Sequence, residues 1–158
     1  TLGYTTGGFS ISVTDYWFNG GPGYFHYGSH NTNHTFEAQI GYDFGPLALN
    51  WYTNFAGTDG VNNEGDRAYS SYISATVPFT LAGLEWTAEI GATPWATDFY
   101  NYSEDPVCNG SNGFAVCDIS LGAAKEIRIT DSFSVPAFAK VTVNPRTEGA
   151  YFVFGLSF

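Results

Sequence analysis

Residues 34 to 44, His34-Thr35-Phe36-Glu37-Ala38-Gln39-Ile40-Gly41-Tyr42-Asp43-Phe44, set Phe36, Ala38, Ile40, Tyr42 and Phe44 against Thr35, Glu37, Gln39 and Asp43. Apolar and polar side chains alternate with a period of two, which marks a strand whose two faces meet different surroundings. Phe9, Ile11 and Val13 alternate with Ser10, Ser12 and Thr14, and Leu47, Leu49, Trp51 and Phe55 with Asn50, Tyr52 and Asn54. Leu84, Trp86, Ala88 and Ile90 alternate with Glu85, Thr87 and Glu89, and Phe133, Val135, Ala137, Val141 and Val143 with Ser134, Lys140 and Asn144. Phe152, Phe154, Leu156 and Phe158 stand against Tyr151, Gly155 and Ser157, while residues 67 to 79 and 113 to 129 repeat the pattern more weakly. No segment combines helical spacing with a cap, so the chain reads as all-β.

These runs are roughly 10 to 13 residues long, about twice the common strand length and close to the 9 to 11 residues that cross a bilayer at a tilt. Their connections alternate. Tight ones fall at Thr6-Gly7-Gly8, Gly45-Pro46, Leu81-Ala82-Gly83 and Thr130-Asp131-Ser132, and long or polar ones at 19 to 33, 57 to 66, 96 to 112 and 144 to 148. Short turns at one end and long loops at the other are the habit of outer-membrane barrels. The expected fold is therefore an antiparallel, up-and-down transmembrane β-barrel with long loops extracellular and the C-terminus periplasmic.

Composition agrees. Of 158 residues, 44% are apolar, 18% aromatic and only 13% charged, with a net charge of −10. So much apolar surface excludes a disordered polymer, and the negative charge without a Lys/Arg cluster excludes a nucleic-acid binder. No run reaches the ~18 apolar residues of a spanning helix. The chain begins at Thr1 without a charged n-region or apolar h-region, so any signal peptide is absent or already removed. One domain over residues 1–158 is expected.

Eight strands are countable from Gly8 onward, and Thr1-Leu2-Gly3-Tyr4 reads as the end of a ninth. The closing Tyr151-Phe152-Val153-Phe154-Gly155-Leu156-Ser157-Phe158 resembles the C-terminal signal that the barrel-assembly machinery recognises in outer-membrane proteins, with Tyr151, Phe154, Leu156 and Phe158 as its marks. Thr1-Leu2-Gly3-Tyr4, Val13-Thr14-Asp15-Tyr16-Trp17, residues 50 to 57, Gly65-Asp66-Arg67-Ala68-Tyr69-Ser70, Gly91-Ala92-Thr93-Pro94-Trp95 and Gly113-Phe114-Ala115-Val116 carry a wider likeness. So do residues 124 to 127 and 129 to 134. Over nearly its whole length the chain resembles the TorF-like, porin-like outer-membrane barrels of anaerobic Gram-negative gut bacteria. The resemblance implies a barrel of about twelve strands, about four of them upstream of Thr1.

The polar face is expected to line the lumen, with Glu37, Gln39, Asn50, Tyr52, Asn54, Glu85, Glu89, Asp118, Glu126, Arg128 and Lys140. The apolar face, with Trp51, Trp86, Tyr69, Tyr42 and Phe55 near strand ends, is expected to meet lipid and form interfacial girdles. Lys125 falls on that outward face, so it either snorkels to the interface or a bulge shifts its register. Acids outnumber bases inside. An open lumen of this kind favours cations or polyhydroxylated neutral solutes; a narrow one is instead plugged by its own salt bridges and hydrogen bonds. Glu126 and Arg128, two apart on one strand, read as structural.

His26, His30 and His34 are four apart, but the glycines at 20, 21 and 23 and Pro22 deny them the helix that would align them on a metal, so no metal site is expected. Cys108 and Cys117 are a disulfide candidate across a loop in an oxidising envelope. Asp59, Glu64 and Asp66 lack the spacing of a calcium loop and read as solvated. There is no Gly-x-Ser-x-Gly and no catalytic constellation, hence neither catalytic residues nor a cofactor is expected. The expected function is passive diffusion of small solutes, the alternative a non-conducting barrel whose outer loops bind another envelope protein. The expected partners are outer-membrane lipid and lipopolysaccharide, and the assembly machinery during insertion.

Overall fold

A computed structural model describes residues 1–18, 21, 23–28, 31–100 and 113–157. Among these residues nine strands form: β1 (Leu2–Thr6), β2 (Phe9–Trp17), β3 (His34–Asp43), β4 (Ala48–Gly57), β5 (Ser71–Leu81), β6 (Leu84–Thr93), β7 (Ala115–Thr130), β8 (Phe133–Asn144) and β9 (Gly149–Leu156). They make one sheet in the order β1 to β9, each strand antiparallel to its sequence neighbours. This is the up-and-down arrangement the alternation predicts, with β1 as the ninth strand. The sheet is open, for β1 and β9 do not meet.

Turns gather at one end of the sheet and loops at the other. Two of the turns need positive φ at both central positions, which matches a two-residue hairpin to the twist of its strands. Gly7 and Gly8 have φ of 54° and 94°, and Ala82 and Gly83 have 54° and 73°. Gly8 is required twice over, because a Cβ there would stand 2.5 Å from the Asp43 carbonyl oxygen. The β3–β4 turn is fixed by Asp43, whose Oδ1 accepts the Gly45 amide at 2.7 Å.

Three register shifts interrupt the ladders, at Phe36/Glu37, Gly91/Ala92 and Arg128/Thr130. The first two preserve the sidedness of the sheet at its loop end. By passing over Phe55 and Cys117, they leave Glu37 opposite Asn54 and Gly91 opposite Asp118. The segment expected at 67 to 79 starts later, at Ser71. Residues 67 to 70 are held by the loop instead, where Arg67 bridges Val61 and Tyr69 turns with φ of 49°. Tyr69 therefore belongs to a loop, not to a strand-end girdle.

Burial is inverted relative to a water-soluble protein. Among the described residues the buried apolar side chains are Ala68, Ala92, Cys117 and Val135, whereas His34, Thr35, Asn54, Ser70, Ser71, Ser74, Thr93, Thr97 and Ser120 are all buried. Ile11, Val13, Ile40, Leu49, Trp51, Ile90, Ile119, Leu121 and Val141 are exposed on one face. The chain exposes 10108 Å², where a compact soluble chain of 17.1 kDa exposes about 7,700 Å². Aromatic pairs mark both ends of the apolar face. Tyr42–Phe44 and Phe79–Trp86 lie near the turns, and Trp17–Tyr24, Tyr27–Phe36, Phe36–Phe55 and Trp51–Trp95 near the loops.

Candidate functional site: the polar face

Register carries the polar residues of one strand onto those of the next. Thr14, Glu37 and Asn54 form one row, and Ser12, Gln39, Tyr52 and Tyr72 another. Ser10, Gly41, Asn50, Ser74, Gly91 and Asp118 make a third, and Thr76, Glu89, Ser120, Thr142 and Tyr151 a fourth. Toward the turns follow Thr87, Gly122 and Lys140, then Glu85 with Ala124, Glu126 with Pro136, and Arg128 with Ser134. All the expected lumen residues thus lie on one face.

Small side chains let the larger ones lie flat across this face. Gln39 Nε2 donates to Ser10 Oγ at 3.0 Å and to Asn50 Oδ1 at 3.1 Å, while Ser12 Oγ donates to Gln39 Oε1 at 3.2 Å. The bridge passes over Gly41, where any Cβ would meet Asn50 Oδ1 at 2.3 Å. Ser120 Oγ donates to Asp118 Oδ1 at 2.5 Å and is 2.8 Å from Thr142 Oγ1.

At the loop end the face deepens into a cleft of about 300 Å³ between Glu37 and Glu89. Tyr16 and Tyr100 hydroxyls donate to the two oxygens of Glu37 at 3.3 and 3.2 Å. Tyr72 donates to Glu89 Oε1 at 3.2 Å, and Thr76 to Oε2 at 3.5 Å. The Tyr72 ring stands 6.1 Å from that of Tyr52 and 5.7 Å from that of Tyr100. Tyr100 leaves the β6–β7 loop to reach β3 across the face; burial first, then the neighbouring Glu37, pushes its hydroxyl above the usual phenol range.

Ion pairs between described residues do not involve the carboxylates of this face. Among the described residues they are His34–Asp15, Arg67–Asp59 and Arg128–Asp131. Arg128 thus turns to Asp131 at 2.6 Å in the β7–β8 turn rather than to Glu126. Lys125 is exposed on the apolar face opposite Ala137, with the ladder regular on both sides, so no bulge moves it. It stands level with the β5–β6 turn, one step past the Glu85–Ala124 pair.

Two loop structures were not legible as such. Asp59 is not solvated: its side chain is 2% exposed and accepts from Asn54 Nδ2 at 3.1 Å, from the Gly60 amide at 2.8 Å and from the Ser70 amide at 3.1 Å. Arg67 lies 3.6 Å from it and covers Tyr69. Asp98 Oδ1 accepts the Val61 amide at 2.9 Å, and Ser70 Oγ lies 2.6 Å from Thr97 Oγ1, joining the second loop to the third. His34 is 0% exposed, with Nδ1 at 2.7 Å from Asp15 Oδ1, Nε2 at 2.5 Å from the Tyr24 carbonyl, and Tyr27 stacked at 4.2 Å. Its two nitrogens are thereby occupied.

Tyr151 lies on the polar face opposite Thr142, while Phe154 and Leu156 share the opposite face with Phe152. Phe158, His30 and Cys108 fall outside the described residues, and with Cys108 the pairing of Cys117, which is buried where β7 bulges. Comparison with family models, with curated proteins and with solved structures returned no match. Tyr16, Tyr72 and Tyr100 were not foreseen in the site. Strict alternation of Tyr72, Ser74 and Thr76 with Ile73, Ala75 and Val77 is a signal for Tyr72; nothing local marks Tyr100.

Proposed function

We propose that the protein is a porin-like outer-membrane β-barrel through which small solutes diffuse passively along the polar face. The observation that carries this reading is the inverted burial, with large apolar side chains exposed on one face of every long strand while Asn54, Ser74 and Ser120 are buried on the other. In water such a face would drive aggregation; in lipid it is the required surface. The membrane-crossing part of each strand is its outward apolar run, for example Phe36–Tyr42 of β3, with aromatic pairs at both interfaces. Lys125 reaches the interface at the turn end, the periplasmic side.

Unpaired backbone groups cannot remain in hydrocarbon, so in this reading further strands pair with β1 and β9 in a barrel of about twelve. The resemblance to the TorF-like porins supports the same number. The reading involves no catalytic residue and no cofactor. Partition into detergent, a heat-dependent gel shift, and stepwise conductance of the full-length protein in planar bilayers are the expected results. A silent, sealed barrel overturns the pore. The linked second and third loops favour a second reading, a non-conducting barrel that binds a partner through them. Deleting residues 58 to 70 would then abolish a binding phenotype and leave bilayer currents unchanged.

A further inference from the structure

The connection between β2 and β3 leaves the sheet on its apolar side. Alternation holds to the ends of both strands. Tyr16 and Glu37 point to the polar face, where their side chains meet at 3.3 Å, so the cross-strand pairs Asp15–Phe36 and Trp17–His34 point to the opposite one. The loop folds back onto these outward side chains. Tyr24 meets Trp17 edge-on with ring centroids 5.8 Å apart, and Tyr27 stacks on His34 at 4.2 Å and lies 6.3 Å from Phe36. The Phe18 amide donates to the Asn33 carbonyl at 3.0 Å, closing the base, and Thr32 Oγ1 donates to the His26 carbonyl at 2.8 Å. At the tip, Phe25 packs edge-on against Tyr24 at 5.1 Å. It is nonetheless 88% exposed, more than any other large apolar side chain among the described residues.

The sequence of this connection sets it apart from the other long ones. From Tyr16 to Phe36 there is no Asp, Glu, Lys or Arg, in a chain of net charge −10. Residues 57 to 66 carry Asp59, Glu64 and Asp66, and residues 96 to 112 carry Asp98, Glu104 and Asp105. Those two connections also turn the other way, for Tyr100 reaches Glu37 on the polar face and Asp98 accepts the Val61 amide. An uncharged, aromatic surface continuous with an apolar strand face suits the boundary between lipid headgroups and acyl chains, where tyrosine rings bury their carbons and keep their hydroxyls wet.

We infer that the β2–β3 loop is an interfacial anchor, turned away from the lumen, that sets Tyr24, Phe25 and Tyr27 into the outer-leaflet lipid. The inference rests on the apolar face meeting lipid, and it carries that contact beyond the ends of the strands. The mouth above the polar face is thereby left to the β4–β5 and β6–β7 loops.

The test places a tryptophan at each of two loop tips. F25W, and N63W at an exposed position beside Glu64 in the charged β4–β5 loop, are compared with the unmodified full-length protein. The vesicles are of phosphatidylcholine with or without bromine near the glycerol end of the acyl chains, and iodide serves as the quencher in water. The emission that F25W gains should be lost in brominated lipid and spared by iodide, and the gain from N63W should behave the other way round. Emission of the unmodified protein, which includes Trp51 on the apolar face, should also fall in brominated lipid. A heat-dependent gel shift checks the folding of each variant, and Y24W, a ring for a ring, is the second probe where F25W fails to fold. A tip tryptophan open to iodide and untouched by bromine, or one response shared by both loops, overturns the inference. With the unmodified protein quenched, that result leaves the barrel in lipid and gives the loop to water or to a protein partner. Emission of the unmodified protein indifferent to bromine removes the lipid-facing reading itself, and the anchor with it.

Discussion

The Tyr72 hydroxyl occupies the space above Gly91, where any Cβ would stand 1.9 Å from its oxygen. The two residues lie on neighbouring strands, and the absence of a side chain at position 91 lets the phenol reach Glu89 at 3.2 Å. Gly91→Ala must displace the ring, at an expected cost of about 1–3 kcal/mol. Gly122→Ala is the control, since a Cβ there meets nothing nearer than 3.8 Å. Urea unfolding in detergent should separate the two variants; equal midpoints would contradict the packing.

His34 lies at the loop end of β3, beyond the outward run that begins at Phe36. Burial alone opposes a charge on the ring, but the Tyr24 carbonyl and Asp15 outweigh it and raise the pKa above the usual 6.5. Tyr24, Tyr27 and Asp15 are the titratable groups that face it. A folded pKa above the unfolded one means that the contribution is complete below 6.5 and lost as pH rises through the higher folded value. Proteolysis within residues 18 to 33 should accelerate over that rise, and His34→Phe should flatten the dependence. A wild-type rate constant from about pH 5 to 9 would remove the pin.

Asp59 holds the second loop from within. Asp59→Ala leaves the Asn54 amide and the Ser70 amide without their acceptor and Arg67 without its ion-pair partner. Local opening should become easier by about 2 kcal/mol or more, read as faster hydrogen exchange at Gly60 and Ser70. Exchange in β8, remote from this loop, should be unchanged.

The two faces of β6 predict opposite tolerances. Ala88 is paired with Val77 and Leu121 on the apolar side, while neighbouring Thr87 is paired with Pro78 and Gly122 on the polar side. Ala88→Arg should cost about 2–4 kcal/mol of stability in lipid, as for an arginine near the bilayer midplane. Thr87→Arg should cost little. Folding titrations into vesicles would measure both, and the reverse order would exchange inside for outside.

The sheet was legible because its signal is local. Phe36 to Phe44 carry their own alternation, and Gly7-Gly8 and Ala82-Gly83 announce their turns, so strand order followed without long-range information. The register shifts at Phe55 and Cys117 were not legible, because one extra residue breaks the alternation without saying which residue is extra. Residues 67 to 70 resembled a strand, yet Asp59 and Trp95, distant in sequence, hold them as loop. The carboxylates of the cleft were visible as polar positions. Their tyrosine partners depend on Gly91 making room and on a loop folding back, which are relations between segments.

The unbroken order β1 to β9 also has a kinetic side. Within this sheet every strand pairs only with the strands before and after it, so none of these pairings waits for a remote partner and loop-closure entropy stays small at each step. The sheet can grow hairpin by hairpin from one free edge, like a zip whose teeth arrive in the order of synthesis. An interruption at any hairpin leaves a correctly registered shorter sheet rather than a tangle, with a single growing edge for a chaperone to guard.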